Sequence, residues 1–366
     1  MRVFFSLIVV LLLAPAVSAQ EDGAERTFEA RVQRILPVPC DDGSDGCTEL
    51  LLQDPTGLLS EPFTVTLSPE DILNGQAGKA SIGDLVIVQS AMMGGERVFA
   101  ISDIVRRTPL LALGILFVAI VLLFGRLSAA RSLLGLLASF VILFGLIIPR
   151  LLAGDSPLLV SSIGSVLIAA VTLLLSHGWN TKSIASFAGI TGSLLLTTLL
   201  ALLFDQWAGL TGLTEETIFL LDAFPELRPE GLLLAGIVIG TLGVLDDVAV
   251  AQASAVLELR AANPRLTTKE LYVSAIRIGR DHVAAAVNTL VLAYAGASLP
   301  LLLLFAGIGT GESIGILLSR EILATEIVRT LVGSIGLLAA VPLTTFFASR
   351  LAVLRPPENL TGNHRH

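Results

Sequence analysis

The chain has 366 residues, 54% hydrophobic and 15% charged, with a mean hydropathy of +0.83. Soluble domains carry about 25% charged residues, so this chain has too few to coat a water-facing surface, which excludes an ordinary cytosolic enzyme and a disordered chain. A net charge of −8 has the wrong sign for a nucleic-acid partner, and the class that remains is an α-helical polytopic membrane protein, its first partner the lipid bilayer.

Arg2, the apolar run 3–13 and the small residues Val17-Ser18-Ala19 have the layout of a secretory signal peptide over 1–19. The run is shorter than the ~20 residues of a spanning helix. Cleavage before Gln20 is therefore expected, with an uncleaved anchor as the alternative, and either way the following residues are exported.

Residues 20–107 hold 15 acidic and 7 basic residues, net −8, which matches the charge of the whole chain. Strands are predicted at 27–37, 48–53, 62–67, 84–90 and 97–105, separated by turn clusters such as Asp54-Pro55-Thr56-Gly57 and Asn74-Gly75. Five short strands imply a small all-β domain, an OB-like or SH3-like open barrel. No aromatic stripe marks a ligand groove, so the plain expectation is a spacer or docking module.

The only cysteines, Cys40 and Cys47, flank the turn Asp41-Asp42-Gly43-Ser44-Asp45-Gly46. An exported compartment is oxidising, so a loop-closing disulfide is expected. The alternative is a metal site with Asp41, Asp42 and Asp45, but two thiolates without histidine are a weak zinc pattern, and the spacing is not that of a calcium loop. No metal and no cofactor is expected.

From residue 108 the apolar runs are long. Seven spans are predicted, at 109–125, 132–149, 157–177, 183–204, 231–253, 283–306 and 328–349, with a tail at 350–366. With the β domain outside, the C-terminus falls inside. The loops then placed inside carry 11 Lys and Arg, and those placed outside between spans carry 3, a positive-inside bias. Arg106 and Arg107 run against it and are expected to snorkel at the headgroups. The expected placement is thus a membrane with the β domain outside and the C-terminus inside.

The fifth span carries two carboxylates, Asp246 and Asp247. Gly236, Gly240 and Gly243 lie at steps of four and three, and Asp247 continues their stripe. Small residues let a neighbouring helix approach, so these glycines are read as packing residues, with Asp247 at a helix contact and Asp246 about 100° away. The sixth span opens Arg280-Asp281-His282, with Asn288 seven residues after Asp281. Asp247 and Asn288 each lie about 8–9 Å inside the inner boundary, which makes them candidate partners. A carboxylate at that depth is costly unless paired, solvated or protonated. Asp247, Asp281, Asn288 and Asp246 are therefore the candidate coupling residues of a carrier, against the plainer reading of a structural hydrogen bond. Between the two spans, Thr267-Thr268-Lys269-Glu270 predicts a capping box at the start of a helix.

The stretch Gly231–Glu258, with Gly-Leu-Leu-Leu-Ala-Gly-Ile-Val-Ile-Gly-Thr-Leu-Gly and Asp247-Val248-Ala249, resembles the YibE/F family of bacterial integral membrane proteins. So does Ser274–Leu301, through Ile278-Gly279-Arg280-Asp281 and Asn288-Thr289-Leu290. The resemblance covers roughly 107–349. It departs after Ala249, where the family tends to Met-Ser and this chain has Val250-Ala251. It implies a plasma-membrane protein loosely described as a permease and brings no substrate or catalytic residues.

Enzyme motifs do not hold. Gly311-Glu312-Ser313-Ile314-Gly315 fits a nucleophile elbow in letters but has no preceding strand and no histidine on its side of the membrane. An aspartyl protease built on Asp247 and Asp281 lacks the expected glycine before Asp246. The expectation is a non-enzymatic transporter or permease for an unknown solute or ion. The alternatives are a non-transporting assembly or signalling component that binds through the exported domain, and the intramembrane protease. A homo-oligomer or a partner membrane subunit is compatible with each.

Overall fold

A computed structural model of the chain describes residues 25–40, 46–55, 61–73, 80–93, 96–213, 215–307 and 313–354. The signal segment, the acidic turn 41–45 and the tail beyond 354 lie outside the described residues. The chain divides into two compact units, Met1–Leu123 and Phe124–His366.

The first unit is an antiparallel five-stranded sheet of β1 (Glu25–Val38), β2 (Cys47–Gln53), β3 (Phe63–Leu67), β4 (Leu85–Met93) and β5 (Glu96–Ile104). The strand order is β3-β2-β1-β4-β5, with the long β1 paired to both β2 and β4. A short helix, α1 (Pro69–Leu73), connects β3 to β4. Strand alternation puts Ala30, Val32, Leu50, Leu52, Val65, Leu67, Val86, Val88 and Ile101 on one face as the core. The sheet curls into a half-barrel. Phe63 on β3 and Phe99 on β5 stand at opposite edges of the strand order, yet their ring centroids are 4.3 Å apart. Phe28 of β1 sits edge-on to both, at 5.8 and 6.2 Å. A disulfide joins Cys40 to Cys47 with Cα atoms 5.1 Å apart, tying the end of β1 to the start of β2.

Arg106 and Arg107 meet carboxylates of this same unit. Arg106 Nη1 donates to Asp103 at 2.7 Å, and Arg107 Nη2 to Glu29 at 2.5 Å. The hydrogen bond from Arg106 holds the Asp103 carboxyl below the usual carboxylate range. Both arginines thus have carboxylate partners within the β unit.

A long apolar helix, α2 (Arg107–Ile142), follows. It is kinked at Arg126, which has φ 48° and ψ −129°, left-handed backbone that a non-glycine residue rarely adopts. A π turn (Leu143–Ile147) and α3 (Ile148–Leu152) complete the run, the register change falling just ahead of Pro149, which has no N–H to donate. Next come α4 (Pro157–His177), α5 (Thr181–Ala208), α6 (Glu215–Ala223), α7 (Pro229–Ala262), α8 (Thr268–Ala297), α9 (Leu299–Gly307), α10 (Ile314–Leu318) and α11 (Glu321–Leu354).

In the second unit α11 packs against α5, α7 and α8, and α4 packs against α5 and α7. Small residues allow this. On α5, Ser186, Gly189, Ser193 and Thr197 are buried at helical spacing, as are Gly333, Gly336, Leu337, Ala340, Val341, Thr344 and Ala348 on α11. Gly189 lies against Thr344, Gly336 against Thr197, and Gly333 against Thr241 of α7. Close backbone approach replaces the hydrophobic drive that lipid does not supply.

Among the described residues, five stretches are long and apolar enough to cross a membrane: Arg107–Leu152, Pro157–His177, Thr181–Ala208, Gly231–Ala262 and Glu321–Leu354. The count differs from the seven expected for two physical reasons. The first two expected spans belong to one continuous apolar stretch bent at Arg126. The expected span 283–306 is divided between α8 and α9 at Ser298, two residues ahead of Pro300, which has no N–H to donate back into α8. Moreover, α8 carries Arg277, Arg280, Asp281 and His282 within its length.

The capping box at the start of α8 is present. Thr267 Oγ accepts from the Glu270 N–H at 3.3 Å, and Glu270 Oε2 accepts from the Thr267 N–H and hydroxyl, each at 2.8 Å. These bonds, the backbone one foremost, hold the Glu270 carboxyl below its ordinary value of 4.5. A lowered folded value means the contribution is complete above the ordinary value and is lost as pH falls through the lowered one. Thr267→Ala is expected to speed amide exchange in the first turn of α8 about fivefold at neutral pH. The difference from wild type should shrink in acid; a difference constant with pH would show that Glu270 takes no part.

Candidate functional site

The polar residues of interest sit on α7, a helix buried over a wide arc that includes Val238, Leu242, Leu245 and Ala249. Its remaining face is bare. Gly236, Gly240, Gly243 and Asp247 form one exposed stripe along it. The sequence reading took this stripe as the packed face. A Cβ at Gly243 would meet nothing within 4 Å, and at Gly236 only Arg329 Nη2 at 4.0 Å. Gly240 alone is closely approached, by the Tyr294 hydroxyl of α8, 2.6 Å from where its Cβ would be. The close-packing glycines are instead Gly189, Gly333 and Gly336. Their signal was in the sequence, as small residues three and four apart in the spans 183–204 and 328–349.

Asp246 turns inward. It is part-buried, and its Oδ1 is enclosed with no hydrogen-bond partner among the described residues. Thr172 of α4 supplies a hydroxyl beside it, which also bonds back to the Ala169 carbonyl at 3.2 Å. Asp247, one residue on, is exposed on the glycine stripe, close enough for its charge to act on Asp246 and on His177. His177 ends α4, and its Nδ1 lies 3.3 Å from the Lys182 ammonium at the start of α5. Asn180 between them caps α5, its Oδ1 accepting from the Ser183 N–H at 2.9 Å. Two carboxylates, an imidazole and an ammonium are thereby gathered from three helices. Such a set can exchange a proton; among the described residues no three His, Cys, Asp or Glu side chains are grouped to hold a metal ion. His177 and Lys182 were not singled out from the sequence because each stands at a predicted span end, where a cationic residue reads as topology.

Asn288 and Asp281 lie on the exposed side of α8, and no hydrogen bond among the described residues joins either to Asp247. The α7–α8 contact runs through another residue, Gln252. It is 4% exposed, and its Nε2 donates to the Ala275 carbonyl of α8 at 3.0 Å and to Thr345 Oγ1 of α11 at 2.7 Å. Gln252 is five residues beyond Asp247, about 140° round the helix. Ser313 of the G-x-S-x-G letters caps the short α10, accepting from the Ile316 N–H at 3.4 Å.

Apolar membrane-length helices enclosing buried hydroxyls, an amide and a part-buried carboxylate define an integral membrane protein of the polytopic helical class. The YibE/F-like protein family matches residues 113–353, and the chain belongs to that family. The match covers the helices and leaves the five-stranded sheet outside it. No curated protein and no solved structure matches the chain.

Proposed function

We propose that the protein is a secondary transporter of the bacterial plasma membrane, coupled to protons or a cation through Asp246 and Asp247, and not an enzyme. In this reading the chain crosses the membrane seven times, with the Arg126 kink separating the first two crossings. The β unit is then exported and the C-terminus cytoplasmic. The observation that carries the reading is the enclosed Oδ1 of Asp246, without a hydrogen-bond partner among the described residues, beside a second carboxylate on the exposed glycine stripe. A carboxylate on a spanning helix faces water or protein rather than lipid, so the Gly236–Asp247 stripe is the wall of a polar path. His177 and Lys182 stand beside its Asp247 end, and Asp281 and Asn288 line the neighbouring helix without contacting it directly.

The purified protein in proteoliposomes should carry protons or solute down an imposed gradient above the rate of protein-free vesicles. Unchanged flux in Asp247→Asn would remove that residue from the path.

A second reading, a membrane assembly or signalling component, is favoured by the part-exposed Phe28–Phe63–Phe99 cluster at one end of the half-barrel. It takes precedence if wild-type vesicles show no flux and the protein retains an extracytoplasmic partner through its β unit.

A further inference from the structure

A second group of polar side chains, two of them charged, lies away from Asp246, on α11 and at the C-terminal end of α8. Arg329 and Glu326 are three residues apart on α11, and Arg329 Nη1 donates to Glu326 Oε1 at 2.9 Å. Glu326 Oε2 accepts from the Ser298 hydroxyl at 3.1 Å, so both carboxylate oxygens are engaged. The Tyr294 phenol lies within reach of both charges.

The guanidinium is left incomplete. It has five N–H donors in one plane, and Glu326 engages Nη1. Nε is buried with no hydrogen-bond partner among the described residues. Nη2 faces the glycine stripe of α7, 4.0 Å from where a Cβ on Gly236 would stand. With Nη1 turned to Glu326, Nε and Nη2 form the opposite edge of the plane. Two parallel donors at that spacing match two oxygens of one carboxylate or phosphate group. An apolar membrane interior provides no such acceptor, and Gly236 presents no side chain toward Nη2.

We propose that Arg329 is an anion-recognition residue, its Nε–Nη2 edge receiving two oxygens of an oxoanion seated against Gly236, with Glu326 and Ser298 fixing the guanidinium plane. This rests on the transport reading and names its substrate class, a solute bearing a carboxylate or phosphate. A lipid headgroup phosphate offers the same chemistry. Gly236 and Asp247 are eleven residues apart, about 16 Å along the helix, so anion and coupling cation occupy opposite ends of one glycine face.

The test titrates purified protein in detergent with inorganic phosphate at ionic strength held constant by chloride, reading the thermal midpoint. Wild type should be stabilised by phosphate over chloride. Arg329→Lys keeps the charge and loses the paired edge, and should weaken the phosphate response about tenfold, as should Arg329→Gln. Arg329→Lys running as wild type on size exclusion separates lost binding from lost folding. Phospholipid phosphorus retained through delipidation is measured in parallel. Retention falling in Arg329→Lys assigns the oxoanion to a headgroup, and equal retention with a lost phosphate response assigns it to a free solute. Equal phosphate response and equal lipid retention in wild type and Arg329→Lys would overturn the proposal. Phosphate binding that depends on Arg329 in a protein without flux would sink the transport reading and leave the anion site standing; flux indifferent to Arg329→Lys would sink the assignment of that site to the transported substrate.

Discussion

Gly189→Ala is expected to destabilise the helical unit by about 3 kcal/mol, the upper end of the ordinary overpacking range. A Cβ at Gly189 would stand 1.9 Å from Thr344 Oγ1 and 2.8 Å from Thr344 Cα. The hydroxyl can rotate away; the Cα cannot, so α5 and α11 must part. Their separation would also loosen Gly336 against Thr197 and the bond from Ser186 Oγ to the Ala249 carbonyl of α7. The matched control is Gly243→Ala, where nothing lies within 4 Å. There alanine's higher helix propensity, about 1 kcal/mol over glycine, should make the change neutral or stabilising. Thermal midpoints from fluorescence-detected size exclusion compare the two. Equal midpoints would mean that the α5–α11 contact does not hold the unit together.

The second large effect concerns the carboxylates. Asp246→Asn keeps the shape of the side chain and removes its capacity to bind a proton or a cation. If Asp246 is the coupling group, gradient-dependent flux in proteoliposomes should fall by at least about tenfold, or about 1.4 kcal/mol. Asp247→Asn, on the exposed stripe, should lower flux less and shift its dependence on the coupling ion. Thr172→Val, which removes the hydroxyl beside Asp246, should act in the same direction as Asp246→Asn and more weakly. Full flux in Asp246→Asn with none in Asp247→Asn would exchange the two roles.

Much of the fold was legible because it depends on local pattern. All five strands were predicted within three residues at each end, since alternation and turn residues are short-range signals. The Thr267–Glu270 box was readable for the same reason. The Phe28–Phe63–Phe99 cluster was not, because its rings come from three strands and meet only when the sheet curls. The candidate site divides in the same way. Helical spacing correctly put Gly236, Gly240, Gly243 and Asp247 on one stripe and Asp246 off it. Spacing does not say which stripe a neighbour covers. Glycine was read as the mark of contact, whereas the neighbours of α7 meet the Val238–Leu242–Leu245–Ala249 arc and Gln252. Arg329 stood within a predicted span and drew no notice; Glu326 is its neighbour along α11, but Ser298 joins that pair only when α8 and α11 pack.

Gln252 has a consequence for the populations of states. One amide nitrogen bonds α7 to both α8 and α11, and Gly279 of α8 leaves room for its oxygen. For α8 to rock away from α7, the bond to the Ala275 carbonyl must open, and a buried group left without its partner costs about 1–3 kcal/mol. That gap corresponds to a minor conformer populated at about 0.6–15%, within or near the range from which ligands draw conformational change. Gln252 is thus sized as a latch: strong enough to define one resting arrangement of α8, and weak enough for the binding of an ion or solute to release it.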